Sequence, residues 1–313
     1  VHALEMRDQD QGHGFAYTCE PAVGTLDEED DQFLHTLVNM AAARISGFEL
    51  REAKAQSQRI EKDLELARNI QRMILPKRLP EPAGWECAAA NLPYERVGGD
   101  LYDLWTASDL NGVSRLHLAV ADVSGKGLPA SLMMTQLSAF LRAMADHRVK
   151  DWGQLASRLN ARMDEVRDHN RYATLFMGSI NPADGSMRYV NAGHNPPLLV
   201  PADGSPVVRL HPTGPMVGLL PGAAFQEGRA RMLPGDVLII FTDGVVDAED
   251  VHGRELGEEP LIEVARTCGS ASSEEVFERL LVRTLQHMDG CGFKDDVTLM
   301  VIKRRGGGRP AGE

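Results

Sequence analysis

Four aspartates at the borders of apolar segments constrain how this chain can fold. Each ends or precedes an apolar run, or stands beside glycine: Asp100, Asp122, Asp243 and Asp295, the last followed by Asp296. Strand ends are where a fold can bring distant residues together, so we expect these side chains to converge. Clustered carboxylates repel one another unless a cation neutralises them. The sequence therefore predicts a site for a hard metal ion.

The alternative for each aspartate is a turn residue, which is the usual role of Asp before Gly. We expect that role for Asp184 and Asp203. Asp100 and Asp243 differ because they adjoin long apolar runs, where an unpaired carboxylate is costly. Oxygen ligands without a cluster of histidine and cysteine favour Mg²⁺ or Mn²⁺ over zinc.

Composition excludes several classes of function. The formal charge of −12 over 313 residues argues against a nucleic-acid partner, which requires a basic surface. The four cysteines form no CxxC pair, so we expect reduced thiols in a cytoplasmic protein. No apolar stretch reaches the ~20 residues of a membrane span, and the start does not resemble a signal peptide. Val1 in place of an initiator methionine is compatible with a segment of a longer chain.

The N-terminal part carries a long helical pattern. A heptad-like seam runs through Leu50, Ala53, Ser57, Ile60, Leu64, Ala67, Gln71 and Ile74. No proline interrupts this region before Pro76. The seam favours a two-helix coiled coil and hence a homodimer, although small and polar seam residues make the coil weak. The alternative is a single amphipathic helix packed on its own domain.

The remaining sequence predicts a layered α+β fold. We expect strands near 85–92, 99–105, 115–123, 173–180, 187–192, 197–200, 207–210, 229–232, 236–242 and 296–303. Helices are predicted near 127–147, 152–168, 258–267 and 273–288. Runs of strands joined by turn signals favour antiparallel sheets with helices packed outside them. From Arg304 onward, a glycine-rich tail is expected to be disordered.

The turn after Asp122 has a competing interpretation. Residues 125–130 read GxGxxA between a strand and a helix, as in a dinucleotide-binding fold. Such a fold needs a parallel strand ending in an acidic residue ~20 positions further on. Asp146 instead lies at the end of the predicted helix, so the dinucleotide interpretation fails. Glycines beside an aspartate also let backbone carbonyls and water approach a cation closely.

His194 is the one histidine in a suggestive setting. It lies in a rigid turn, residues 192–197, after an apolar strand. It is either a residue that holds the turn through hydrogen bonds, which we favour, or an imidazole that assists proton transfer at the metal site. No GxSxG motif supports a serine nucleophile.

Five motifs together resemble the metal-dependent PPM (type 2C) serine/threonine phosphatases, in the SpoIIE/RsbU-like branch of bacterial sporulation and stress response. They are VGGD at 97–100, ADVSGKG at 121–127, NAGHNPP at 191–197, FTDGVVDA at 241–248 and DDVTLMVI at 295–302. The helix ending at Leu75 and Pro76 is similar to the linker before this domain. Residues 1–46 resemble the C-terminal end of a GAF-like sensor domain.

The resemblance implies an αββα four-layer sandwich with two Mn²⁺ or Mg²⁺ ions between its sheets. Asp122 would bridge both ions, and the Val123 carbonyl would complete the ligands of one. Asp243 and Asp295, with Asp296 beside it, would hold the second ion. Asp100 would be a further ligand that orients the attacking water, which makes Asp100 and Asp122 the catalytic pair.

The sequence also departs from the family pattern. Val123 and Ser124 stand where eukaryotic members have glycine and histidine, so the general acid is unassigned. Relatives have a phosphate-contacting arginine at the position of Glu95, and Arg96 is the neighbouring candidate. Arg96, Gly125 and His194 are our candidates for contact with phosphate or substrate.

These observations predict a sensor remnant at 1–46, a helical linker at 47–78, a phosphatase domain at 79–304 and a disordered tail at 305–313. The expected enzyme is a cytoplasmic Mn²⁺/Mg²⁺-dependent protein serine/threonine phosphatase, regulated through its linker. Its expected substrate is a phosphorylated signalling protein of the anti-sigma-factor antagonist type. Two alternatives are a non-catalytic dimeric binding module and a metal-dependent hydrolase of small phosphoesters.

Overall fold

The computed structural model describes residues 2–8, 11–18, 28–109, 112–145, 149–165 and 172–306. The chain divides into two compact units, Val1–Leu66 and Ala67–Glu313. Among the described residues, no helix has the length and apolar character that a membrane span requires.

The first unit contains a hairpin and most of a long helix. Strands β1 (His2–Asp8) and β2 (Gln11–Thr18) pair antiparallel, and helix α1 (Glu28–Ile74) follows. The helix is continuous across residues 46 and 47, so no break marks the predicted border between sensor remnant and linker. A run of 47 residues without proline explains this continuity, since proline would remove an intrahelical hydrogen bond.

The second unit alternates strands and helices close to the predicted positions. Its strands are β3 (Trp85–Leu92), β4 (Leu101–Ser108), β5 (Ser114–Val123), β6 (Ala173–Ile180), β7 (Ser186–Ala192), β8 (Leu198–Val200), β9 (Val208–Arg209), β10 (Gly228–Arg231), β11 (Val237–Phe241) and β12 (Val297–Arg304). Its further helices are α2 (Leu128–Ala145), α3 (Trp152–Glu165), α4 (Asp243–Val246), α5 (Glu259–Thr267) and α6 (Ser273–Met288). Helix α4 is absent from the sequence prediction because four residues are too few to display a helical period.

The strands form two five-stranded antiparallel sheets, in the orders β10-β7-β6-β5-β4 and β3-β12-β11-β8-β9. One apolar core contains residues of both sheets, such as Phe176 and Ile240. A second core joins the first sheet to α2 and α3, and a third joins the second sheet to α5 and α6. The predicted α+β sandwich of helix, sheet, sheet and helix layers is confirmed.

Strand β5 illustrates how a strand of these sheets is buried on both faces. Leu116, Leu118 and Val120 belong to the core between the sheets, whereas Ala119 and Ala121 belong to the core under the helices. Side chains of a strand point alternately to its two faces, so a doubly covered strand reads as a continuous apolar run. The aspartates can therefore appear only at its ends.

The disorder expected from Arg304 onward is wrong for the first residues of the tail. Arg304 is the last residue of β12. The amide of Arg305 donates to the Gly84 carbonyl at 2.8 Å, and its guanidinium bonds the Glu86 carboxylate at 2.7 Å. Pairing with the β3 edge therefore extends order to Arg305, and residues 307–313 lie outside the described part.

Candidate functional site

The strand register brings the predicted aspartates to one edge of the two sheets. Leu101 of β4 pairs with Ala121 of β5, so Asp100 and Asp122 both lie one residue beyond this pair. In the second sheet, Phe241 pairs with Leu299, and Asp243 follows two residues after Phe241. The sequence alone predicts that each aspartate lies at a strand end, and the strand register places these ends at the same edge.

Asp100 links the two sheets through hydroxyl groups. Its Oδ2 accepts hydrogen bonds from Thr242 Oγ1 at 2.8 Å and from Thr298 Oγ1 at 2.6 Å. Thr298 in turn accepts one from Asn91 Nδ2 at 2.8 Å. A buried carboxylate needs such donors, because an unsatisfied one would lose its hydration without replacement. This network fixes Asp100, which is almost fully buried, at the sheet edge.

Asp296 anchors the loop that carries Asp100. Its two carboxylate oxygens accept from the backbone amides of Tyr94, at 2.8 Å, and Gly99, at 2.7 Å. A Cβ on Gly98 would lie 2.3 Å from the Asp296 carboxylate, and one on Gly99 would lie 2.8 Å from the Val123 carbonyl oxygen. The two glycines let the loop approach both groups, so Asp296 acts here as a positioning residue.

The carboxylates perturb one another strongly. Burial, followed by the negative charges of Asp243 and Asp295, raises the pKa of Asp122 to about 7. Burial and the charge of Asp122 raise the pKa of Asp100 well above its usual range. Burial and the charge of Asp295 also raise the pKa of Asp243. The edge thus concentrates more negative charge than the surrounding protein neutralises.

The donor chemistry fits a hard divalent cation. All contributing groups are carboxylates, which prefer Mg²⁺ or Mn²⁺, and a cation would relieve the repulsion that raises their pKa values. Within the described ranges, however, no three histidine, cysteine, aspartate or glutamate side chains are close enough together to hold a metal ion as they stand. The side chains therefore fit the ion by type and charge, while their present arrangement is not a closed ligand cage.

Lys126 is a cation in contact with this group. Its Nζ lies 2.9 Å from Asp295 Oδ2, and its charge lowers the pKa of Asp243, opposing the larger effect of burial. Arg96, the predicted phosphate contact, is exposed on the loop before Asp100, and Gly125 lies in the exposed turn next to Lys126. Sequence analysis missed Lys126 because a lysine between two glycines resembles an ordinary surface turn.

Helix α1 contacts the loop of Asp100 through Gln71. Gln71 Nε2 donates to the Gly98 carbonyl at 2.7 Å, and the Gly98 amide donates to Gln71 Oε1 at 3.2 Å. The side chain is buried, so both of its bonds are shielded from water. A polar residue at a seam position was the sequence signal for this contact.

His194 lies behind the carboxylates rather than among them. Only 2% of it is exposed, and its Nδ1 lies 2.9 Å from Thr174 Oγ1, whose residue pairs with Asp122 across the sheet. Burial lowers the pKa of His194 to about 4, and the backbone of Phe241 offsets part of that effect. Nε2 has no hydrogen-bond partner in the described part of the chain. A neutral, buried ring fits the turn-holding role better than substrate contact.

Comparison with known proteins gives one family match. The family described as stage II sporulation protein E (SpoIIE) matches residues 112–305. Protein IcfG of Synechocystis sp. (strain ATCC 27184 / PCC 6803 / Kazusa) is 30% identical over 268 residues, which are 77% of this chain and 41% of IcfG. The chain thus spans less than half the length of that relative.

Two further proteins are similar over most of the chain. Phosphoserine phosphatase RsbU of Bacillus subtilis (strain 168) is 23% identical over 248 residues, covering 79% of this chain and 72% of RsbU. The solved PP2C domain of SiaA from Pseudomonas aeruginosa superposes with a TM-score of 0.68 at 20% identity. That match covers 80% of this chain and 98% of the domain, and it supports the fold.

We predict that His194 makes the folded state less stable as pH falls from about 6.5 to about 4. In this window the unfolded state binds a proton that the folded state does not, so the free energy of unfolding decreases with decreasing pH. The contribution is on the order of 3 kcal/mol, from 1.36 kcal/mol per unit of pKa. Urea unfolding at several pH values, compared between the wild type and His194→Gln, measures it.

The exposed His211 provides a matched control. His211→Gln removes a histidine without changing the buried ring, so the pH dependence of the wild type should persist in this variant. Equal pH dependence in the wild type and His194→Gln would contradict the prediction.

Proposed function

Because this chain belongs to the SpoIIE family of PP2C-type phosphatase domains, we propose that it is a metal-dependent protein serine/threonine phosphatase. Its substrate would be phosphoserine or phosphothreonine on a signalling protein of the anti-sigma-factor antagonist type. The observation that carries the proposal is the group of mutually perturbed carboxylates at one edge of the two sheets. RsbU, which is named a phosphoserine phosphatase, supports the same reaction class.

Two Mn²⁺ or Mg²⁺ ions are the cofactors that we propose. Asp122, Asp243 and Asp295 would hold them, with the Val123 carbonyl as a further ligand and Asp100 and Asp296 alongside. When bound, such ions lower the pKa of the attacking water and offset negative charge on the phosphoryl oxygens.

The chain's own residues prepare this chemistry by holding carboxylates in fixed positions. Thr242 and Thr298 orient Asp100, and Asp296 fixes the loop before it. Preorganised groups need little rearrangement during the reaction, which is how a fixed site lowers the barrier. The leaving serine oxygen still requires a proton, and no described side chain is assigned to supply it.

A cavity next to the carboxylates offers room for a phosphorylated side chain. Its volume is about 250 Å³, and its lining includes Lys126, Asp243, Asp247, Lys294 and Asp295. Asp295 and Lys126 are each 47% exposed, so the phosphate of a protein substrate can approach from solvent. This surface position favours a protein substrate over a fully enclosed small molecule.

We predict that Asp122→Asn and Asp243→Asn each abolish phosphatase activity without unfolding the domain. Each change removes a negative charge that the proposed ions require, while the fold is held by cores elsewhere. Hydrolysis of p-nitrophenyl phosphate with added Mn²⁺ measures activity, and thermal unfolding measures folding. EDTA should abolish the wild-type activity.

The control is Asp203→Asn, which changes an exposed turn aspartate whose carboxylate bonds the Ser205 amide. Asn can accept the same hydrogen bond, so activity should be retained. Wild-type turnover in Asp122→Asn would overturn the metal assignment. Absence of any metal-dependent turnover would favour the binding module, and preference for a nucleotide over a phosphopeptide would favour the small-phosphoester hydrolase.

We further propose that helix α1 regulates the site, with residues 1–46 as part of a sensor. The bidentate contact from Gln71 to Gly98 supports this proposal, because Gly98 is two residues from Asp100. A shift of the helix would change the position of the loop that carries Asp100. Regulation of this kind needs two arrangements that differ little in energy.

Gln71→Ala should reduce phosphatase activity at least about ten-fold, because the loop that carries Asp100 loses its contact with helix α1. The Gly98 amide and carbonyl then lack their buried partners, which costs about 1–3 kcal/mol of folding free energy for each group. Activity titrated against Mn²⁺ concentration measures the effect and separates a weaker metal site from slower turnover. Gln58→Ala, at an exposed position of the same helix, is the control. Equal activity in both variants would contradict regulation through Gln71.

We also propose that α1 forms a homodimer along the seam. Large apolar side chains on this helix are exposed, among them Phe48, Leu50 and Ile60. A second copy could cover them in a coiled coil.

Removal of residues 1–63 should convert the dimer to a monomer and change activity, because it deletes most of the proposed coil. Sedimentation equilibrium measures the mass, and the p-nitrophenyl phosphate assay measures activity. If both quantities are the same with and without these residues, the proposal of a dimeric switch is wrong.

A further inference from the structure

Lys126 occupies an unusual position next to the carboxylates. It lies in the turn between β5 and α2, between Gly125 and Gly127, which have φ angles of +93° and +72°. Such angles favour glycine, so the backbone conformation of this turn depends on both neighbours. The turn projects a lysine where the family resemblance assigns no role.

The Lys126 ammonium joins three separate segments. Nζ donates to the Lys294 carbonyl at 2.7 Å and to Asp295 Oδ2 at 2.9 Å. It also lies 5.0 Å from the ring centroid of Tyr94, a cation–π distance. One flexible side chain thus connects the β5–α2 turn with the loop before β4 and with the segment before β12.

Each oxygen of the Asp295 carboxylate has a partner. Oδ2 bonds Lys126, and Oδ1 accepts from the Asp296 amide at 2.8 Å. A divalent ion on Oδ2 would stand beside an ammonium group, and two cations at that distance repel each other. The ion pair with Lys126 therefore opposes metal binding by Asp295.

We propose that Lys126 competes with a divalent ion for the Asp295 carboxylate, and that it binds the substrate's phosphate group when the ion holds Asp295. The proposal rests on the proposed function for the identity of the substrate. It accounts for a lysine beside metal-ligand candidates, and it assigns to Lys126 the phosphate contact that sequence analysis assigned to Arg96.

Three properties make the exchange feasible. An ion pair whose partners are both 47% exposed contributes little stability and is easily broken. Lysine has a long flexible stem and three donors, so its ammonium can turn within the site. The adjoining cavity of about 250 Å³ has room for a phosphate group within reach of that ammonium.

Mn²⁺ binding to the protein without substrate tests the competition. Isothermal titration calorimetry should show that Lys126→Met binds Mn²⁺ roughly two- to five-fold more tightly than the wild type. This range of affinity corresponds to the free energy of an exposed ion pair. Lys294→Met is the matched control, because it removes one nearby positive charge that pairs with Glu249 instead. If both variants gain the same affinity for Mn²⁺, the cause is general charge repulsion, and the proposed competition between Lys126 and the ion is wrong.

Binding of inorganic phosphate to the Mn²⁺-loaded protein tests the proposed contact between Lys126 and phosphate. Lys126→Met should lose affinity about ten-fold, as expected for a lost charged hydrogen bond, while Lys126→Arg retains most of it. Unchanged phosphate affinity in Lys126→Met would overturn the phosphate contact. Thermal unfolding of each variant verifies that the exposed substitutions leave the fold intact.

Both calorimetric measurements are independent of turnover. A protein that binds Mn²⁺ and phosphate as predicted but hydrolyses no phosphopeptide would contradict the proposed function and leave the Lys126 exchange intact. If the protein has metal-dependent activity but Lys126→Met binds Mn²⁺ and phosphate as Lys294→Met does, the proposed function stands and the Lys126 exchange is wrong.

Discussion

Repulsion among carboxylates at the shared edge of two sheets is the constraint on which the functional part of this structure depends. Each carboxylate in this group raises the free energy of the others, so the fold has to hold them by other interactions. Asp100 is held by two threonine hydroxyls, Asp296 by two backbone amides and Asp295 by Lys126. The site is therefore a set of separately anchored negative charges, which is the arrangement that a dication can stabilise.

The three apolar cores make this edge rigid. Both sheets are covered on both faces, so their strands are fixed in position by close packing as well as by hydrogen bonds. The edge can then hold carboxylates that repel one another, which an isolated sheet could not do. Gly244 shows how tight the junction is, because a Cβ there would lie 2.1 Å from the Asp296 carbonyl oxygen.

Two contacts that we propose to be adjustable adjoin this edge. Gln71 of α1 bonds the loop before Asp100, and Lys126 bonds Asp295. The first contact connects the site with helix α1, and the second would connect it with the charge of a phosphate ligand. Regulation and substrate recognition would thus act on different carboxylates of the same group.

The sequence alone determined the strand and helix positions of the second unit, because apolar periodicity and turn residues are local signals. It also determined that Asp100, Asp122, Asp243 and Asp295 end or precede apolar segments. Only the tertiary structure decided that Asp296 anchors a loop, that Lys126 contacts the carboxylates and that Gln71 bonds Gly98. These contacts join residues 27 to 202 positions apart. Periodicity indicates which face a side chain occupies, but register and layer packing decide which distant residue it meets there.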